Sequence, residues 1–587
     1  MRTLTASPVR RQNAVTILAL APALCFLIIF FVYPIAKVLA DTVFVDGQWD
    51  VSGYVQTFSN SAFLTIFGRT IFLSLAVTAI CLALAYPLAH TLAQLKGPVA
   101  AIFLLMVSIP YITSVLVRTY GWIIILAPNG LINKALLSAG LIDKPVQLVF
   151  NMLGAYIGTV QVQLPLMIFP IYASMKRFDH TLLDAASNLG SNRLSAIWNV
   201  YLPMTRVGII SGCSLVFLST LGFYTTPALL GGTGNYLLAQ AITVRLSNLA
   251  DFAGASTQAA ILFAVTVVLM IVFRRWLTFH NDARSEKLPG RPKNTAGQEA
   301  RLRDIVNRSL GPALDLLGST TSNLLRPLRW TVSIFVLACL VLPLVVVIPL
   351  AFSGSSYISF PPPSFSWRWF RAFFENSQWL EGARFSLVTC GAAVLVSIAL
   401  SIPAAMAMVR RKMIGRETSY LFLIAPIVLP QVVTALALYL LFAQASLVGT
   451  MAGFIVAYTI IGLPYAVIVL VAGIHQLDNS LEMAAANLGA TPLAAFKTVT
   501  LPLLLPSIAS AAFFTFVMCF DDVVFGLYLG GPGAVPLSVR MWDDIKNEIS
   551  PQVAVVATLV FGAMAIAYIG YLTIPLLVEK RLHRRKP

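Results

Sequence analysis

Apolar positions along this chain come in long blocks of about 20 residues, each enough to cross roughly 30 Å of hydrocarbon as a helix, with short polar stretches between them. These runs predict spanning helices at about 14–36, 64–93, 99–127, 150–175, 206–230 and 255–273. A second set follows at 330–352, 383–409, 418–443, 450–473, 504–529 and 552–577. The pattern predicts an all-α integral membrane protein of about 12 transmembrane helices arranged as two tandem six-helix halves. The first half is 1–273, with a polar loop at 176–205. A basic linker follows at 274–329. The second half is 330–587, with a polar loop at 474–503.

The polar loops support that division. Residues 182–203 read LLDAASNLGSNRLSAIWNVYLP and residues 481–502 read LEMAAANLGATPLAAFKTVTLP, 299 positions apart with no gap. Ala185 and Ala484, Asn188 and Asn487, Gly190 and Gly489, and Pro203 and Pro502 coincide, and the register reaches back to Asp179 over Asp478. Chance likeness between apolar stretches does not hold one offset through a polar loop, so the chain is a tandem repeat.

Composition changes the picture in one direction only. At 58% hydrophobic and 11% charged, with mean hydropathy +0.84, a soluble globular class is excluded. The net charge of +17 suggests nucleic acid until it is mapped. Most of the 40 Lys/Arg, but fewer than half of the 23 Asp/Glu, fall at the termini, in the linker and in the loops on one side. That asymmetry is the positive-inside rule, which places both termini and both repeated loops in the cytoplasm. The basic balance therefore reports topology, and no nucleic-acid partner is implied. Cys25, Cys81, Cys213, Cys339, Cys390 and Cys519 all lie in predicted spans and read as small apolar residues without a disulfide or metal framework. The five histidines are isolated, so no metal site and no cofactor are expected. The linker, with eleven Lys/Arg, reads as a solvated connector, and 304–325 has some amphipathic character. On the opposite side, Pro361-Pro362-Pro363 reads as an extended stretch, followed by an interfacial helix carrying Trp367, Trp369 and Phe370.

Within each repeated loop, Leu182, Ala185, Ala186 and Leu189 follow the helical spacing of one narrow apolar stripe, and Leu481, Ala484, Ala485 and Leu488 repeat it. Gly190 and Gly489 then provide a sharp turn, a second short helix follows, and Leu-Pro closes it before the next span. This helix–turn–helix predicts a docking element for a soluble partner.

The pattern resembles the permease subunits of bacterial ABC importers, whose loop carries E-A-A, then a Gly after three intervening residues, then nine residues, an aliphatic, one residue and Leu-Pro. Matching residues here are Asp184-Ala185-Ala186, Gly190, Val200 and Leu202-Pro203, then Ala484-Ala485, Gly489, Val499 and Leu501-Pro502. The resemblance implies the fold of such importers (MetI-like) and a chain fixed in the bacterial inner membrane, surrounded by lipid. It also implies two copies of a cytoplasmic ABC ATPase, one per loop, and a periplasmic solute-binding protein. Two departures stand out. Asp184 replaces the Glu, and in the second copy Met483 takes the acidic position with Glu482 one residue early. Thr181 with Asp184, and Asn479 with Glu482, also have the spacing of a capping box. Capping and ATPase contact both stay open for these acids. The stretches 108–122 (SIPYITSVLVRTYGW) and 519–551 resemble the two permeases of spermidine/putrescine importers, which implies a polyamine solute. Permeases for ferric iron, thiamine and aminoethylphosphonate look similar.

For the solute pathway, Asp521 and Asp522 form an acidic pair near the outer end of the predicted eleventh span, where ionised groups face a cavity or a partner. Either they attract a cationic solute, or they cap or pair locally with Arg118 or Arg384. Arg118, Tyr120 and Trp122 form a second candidate patch, read either as pathway or as an interfacial anchor with a snorkelling arginine. No GxxxxGK[ST] run occurs, so the chain carries no phosphate-cradling loop of its own. Nor does any nucleophile–base arrangement appear, so a transporter subunit rather than an enzyme is expected, with ATP hydrolysed on a separate polypeptide. The main rival is an ion-coupled carrier with twelve spans and a basic central loop. Its acidic–basic cluster between the second and third spans is missing from the short QLKGP loop here.

Overall fold

The computed structural model describes residues 8–45, 47–179, 181–189, 193–277, 327–410, 415–563 and 565–566. Most of the linker (278–326), Gly190, Arg411-Lys412 and the end of the twelfth run beyond 566 lie outside the described residues. Among the described residues ten helices are long and apolar enough to cross a membrane. The count is eleven when the bent pair Arg416–Val428 and Gln431–Gln444 is taken as one span. Gly97–Ile112 and Pro551–Ala563 are shorter apolar helices. Eleven of the twelve predicted runs overlap one or two of these elements, and the twelfth overlaps Pro551–Ala563 as far as it is described.

Three boundaries differ from expectation, each for a backbone reason. First, the third run of each half is broken. Gly97–Ile112 stops and Val115–Leu126 starts afresh, and Arg416–Val428 meets Gln431–Gln444 at 92°. In the second half Leu429 is extended (φ −78°, ψ 143°) immediately before Pro430. Proline disfavours the helical region for the residue ahead of it. In the first half Thr113 is extended as well (φ −85°, ψ 144°) and its hydroxyl turns back onto the Ile109 carbonyl. Second, the fifth runs end at Leu221 and Phe520, short of 230 and 529, with separate short helices at Thr225–Leu230 and Val524–Leu529. Third, Leu-Pro does not close the loop's second helix. Arg193 to Leu221 is continuous, as is Pro492 to Phe520. A π-helical turn sits just ahead of the proline, at Ile197–Tyr201 and Phe496–Thr500. Proline lacks the N–H that the preceding turn needs, and the helix absorbs the loss by widening one turn rather than by stopping.

Each half gives its first span to the other. The helix Ile17–Asp41 packs along Ser377–Arg410 and Gln431–Gln444, where Lys37 donates to Gln444 at 2.7 Å. Reciprocally, Pro327–Leu350 lies against the first half. There Gln161 donates to the Leu340 carbonyl, the Thr91 and Ser333 hydroxyls are 2.9 Å apart, and Val336, Leu337 and Leu340 join a buried cluster with Leu73, Val77 and Met167. This exchange ties the halves together through apolar area rather than charge.

Gly121 shows how tight the exchange is. A Cβ there would sit 2.7 Å from the Pro343 Cβ and 2.9 Å from its Cα, with no flexible neighbour to yield. We expect Gly121→Val to cost on the order of 1–3 kcal/mol by overpacking. The check is the thermal midpoint in detergent, which should fall by several degrees.

Candidate coupling loops and solute pathway

The first helix of each repeated loop starts beside an aspartate. Asp478 is the N-cap of Asn479–Asn487, its carboxylate accepting from the Ser480 N–H at 2.9 Å. That bond holds the exposed Asp478 carboxyl below the ordinary carboxylate range. Asp179 accepts from the Thr181 N–H at 3.0 Å in the same way. This corrects the capping-box reading: the side chains that engage the free N–H groups are Asp179 and Asp478, rather than Thr181 and Asn479. Aspartate serves well at this position because a short carboxylate reaches those N–H groups directly.

The second loop's helix ends in a Schellman motif. Gly489 N–H bonds to Ala486 O, and Ala490 N–H to Ala485 O, both at 3.0 Å, with Gly489 at φ +87°. Leu488, immediately before the turn, is 90% exposed, and its counterpart Leu189 is 89% exposed. Leu481, Met483 and Leu182 are exposed beside them. Ala185 and Ala484 are exposed, and Ala186 and Ala485 half-buried. Each loop thus presents a bare leucine on a thin, alanine-backed helix.

Behind these faces the loops are fastened to the second span of their half, differently in each copy. Glu482 accepts from the Thr500 hydroxyl at 2.9 Å and lies 3.3 Å from the Arg410 guanidinium, which also donates to the Leu477 carbonyl. Glu482 therefore braces the loop against the π turn and the end of Ser377–Arg410. In the first half Tyr201, at the position of Thr500, is buried and bonds His90 at 2.8 Å, with Phe178 packed edge-on against its ring. Asp184 is exposed. Sequence reasoning gave Arg410, Thr500, His90 and Tyr201 no part in the loop: Arg410 reads as the start of a basic cytoplasmic turn, Arg410-Arg411-Lys412, and His90 as an isolated histidine. The one available signal is that Tyr201 and Thr500 share the repeat's offset.

On the far side of the bundle, Asp521 and Asp522 are not inside a span. Asp521 is the C-cap of Leu501–Phe520. Its carboxylate accepts from the Ser114 hydroxyl at 2.5 Å and from the Val115 N–H at 3.0 and 3.1 Å, reaching across to the first half. Asp522 accepts from the Phe525 N–H with one oxygen, while its Oδ1 has no hydrogen-bond partner among the described residues. Arg118, Tyr120 and Trp122 are all buried, which corrects the snorkelling-anchor alternative. Tyr120 donates to the Ser550 carbonyl, and Arg118 Nε and Nη1 lack hydrogen-bond partners among the described residues. Two further contacts join the halves here: Tyr224 stacks on Trp542, and the Thr243 and Tyr528 hydroxyls meet at 3.0 Å.

Residues 397–585 match the family described as "Binding-protein-dependent transport system inner membrane component". The chain is 32% identical over 235 residues to the spermidine/putrescine transport system permease protein PotB of Escherichia coli (strain K12), covering 40% of this chain and 85% of that protein. It is 30% identical over 231 residues to the putrescine transport system permease protein PotI of the same organism, covering 38% of this chain and 82% of that one. A solved bacterial ABC transporter involved in the import of the acidic polysaccharide alginate aligns with TM-score 0.36 at 17% identity, over 45% of this chain and 94% of that one. The chain belongs to this family of ABC importer permeases. It is a multi-pass inner-membrane transporter subunit, and at 587 residues it holds two permease halves where each matched relative accounts for about two-fifths of it.

The loop face carries the bare leucines, and the far face carries buried polar groups shared between halves.

Proposed function

We propose that this permease is the whole membrane-spanning pathway of a polyamine importer. Its first half is 1–273, its second half is 330–587, and 274–329 joins them. In this reading both termini and both repeated loops face the cytoplasm, as the lysine and arginine distribution supports. One copy of a separate ATPase docks on each loop and a periplasmic binding protein delivers solute to the far face. The observation that carries the reading is the pair of 89–90% exposed leucines, Leu189 and Leu488, at one offset on two loops. An apolar side chain held bare at the end of a short helix in both copies, with further exposed apolar side chains beside it, suits insertion into a partner's groove. Asp184, Ala185, Ala186, Gly190 and Pro203 in one loop, and Glu482, Ala484, Ala485, Gly489 and Pro502 in the other, shape and seat those two contacts.

The polyamine reading rests on the names of the relatives and on the acidic groups at the far face. Ammonium groups are recognised by carboxylates and aromatic faces. In this proposal solute passes Asp521, Asp522, Arg118, Tyr120 and Trp122 when the halves part. Uptake of labelled spermidine or putrescine into cells carrying the full system tests it. Asp522→Asn is expected to lower uptake about tenfold while ATPase co-purification stays intact. Unchanged uptake removes Asp522 from the pathway, and no polyamine uptake by the unsubstituted system removes the solute assignment.

A further inference from the structure

The two halves meet at two equivalent junctions, each between the break in a third span and the end of a fifth span. In one, Asp521 faces Ser114 and Val115. In the other, Gly222 takes the place of Asp521 and Pro430 the place of Ser114. A Cβ on Gly222 would lie 2.5 Å from the Pro430 Cβ and 2.9 Å from its Cα. One junction is therefore made by hydrogen bonds to a carboxylate, and the other by backbone pressed against a proline ring that has no N–H to offer. The neighbouring positions follow suit. Beside the polar junction stand Arg118 and Asp522, with buried polar atoms that lack hydrogen-bond partners among the described residues. At the corresponding places beside the apolar one stand Thr434 and Phe223.

We propose that the Asp521–Ser114–Val115 junction is a latch that opens during transport, and that the Gly222–Pro430 junction is the pivot that stays closed. The two differ in what opening costs. Charge-assisted hydrogen bonds are directional, so the latch is either made or broken. Once it breaks, water or a solute ammonium group replaces Ser114 and Val115 as donors to the Asp521 oxygens, leaving little penalty. Parting Gly222 from Pro430 exposes only apolar and backbone surface, and nothing that enters compensates for the lost contact. An ammonium-bearing solute competes directly with Ser114 and Val115 for Asp521, so arrival of cargo itself favours release. The importer thus opens at one of its two junctions between halves, with Asp521 and Ser114 as residues that must separate. This rests on the ATP-driven reading above.

The test compares the resting complex with one arrested by ATP and vanadate. In a background lacking the six native cysteines, a short bifunctional thiol reagent is applied to two pairs. One is Ser114→Cys with Asp521→Cys. The other is Gly222→Cys with Pro430→Cys, in which removal of the proline ring makes room. Cross-linking of the first pair should fall at least fivefold on arrest, and that of the second should change less than twofold. Hydrogen exchange in the unsubstituted complex asks the same question without mutation: 113–117 should lose protection at least fivefold while 221–224 and 431–434 keep theirs. Equal loss at both junctions, or none at the first, overturns the proposal. Failure of any ATPase to co-elute is seen before reagent is added, and counts against the importer reading rather than against the latch.

Discussion

Leu189→Asp combined with Leu488→Asp is expected to abolish solute accumulation while leaving the permease folded and inserted. Both side chains are almost fully exposed, so no packing is lost in the free chain and surface substitutions of this kind usually shift stability by less than about 0.5 kcal/mol. Seated in a partner's apolar groove, a leucine contributes on the order of 1.5–3 kcal/mol through burial. A carboxylate forced into the same place adds a desolvation penalty of several kcal/mol. The ATPase should dissociate and uptake should fall at least a hundredfold. The singles should be graded, each removing one docking point. Uptake in cells and the thermal midpoint of the purified chain together separate lost docking from lost folding.

The second large effect is expected at Arg410 and Glu482. Their pair is only partly exposed (16% and 25% of the two side chains), so Arg410→Ala leaves Glu482 relying on its bond from the Thr500 hydroxyl. Loss of a charged partner at such a site costs about 1–3 kcal/mol. In the proposed coupling the expected consequence lies in transmission: without the tie, a docked loop helix would rock against the span that it moves. Arg410→Ala and Glu482→Ala should each reduce uptake about tenfold while ATP hydrolysis continues. The exchanged pair Arg410→Glu with Glu482→Arg should recover a substantial part of it. Asp184→Ala should have a smaller effect, because Asp184 is exposed. A double-mutant cycle on the two single substitutions, read by uptake, reports the coupling.

Why these residues escape a reading of the chain alone is a matter of range. Glu482 and Arg410 are far apart in sequence and belong to different helices, and a partner across a fold leaves no periodic trace. The spans and the repeat are legible because hydrocarbon imposes a length and a polar loop preserves an offset. Breaks in the third spans are not, since Thr113-Ser114 is short and uncharged and Pro430 lies in an apolar run that only Gln431 and Thr434 interrupt. The exchange of first spans is hidden for the same reason: a largely apolar helix carries no mark of which half it packs against. The π turns follow from proline chemistry, yet Leu-Pro reads equally well as a stop. The caps are within reach, because Asp179 and Asp478 share the repeat's register and aspartate is among the strongest capping residues. For the far face, the acidic pair is visible, but its bonds to Ser114 and Val115 depend on how the halves meet.

The most direct measurement is the composition of the intact complex by native mass spectrometry. The account predicts two ATPase copies on each unsubstituted chain, one copy on a chain carrying either leucine substitution alone, and none on the double variant. A chain that moves solute with no ATPase bound, or that keeps both copies after the loops are charged, would contradict it.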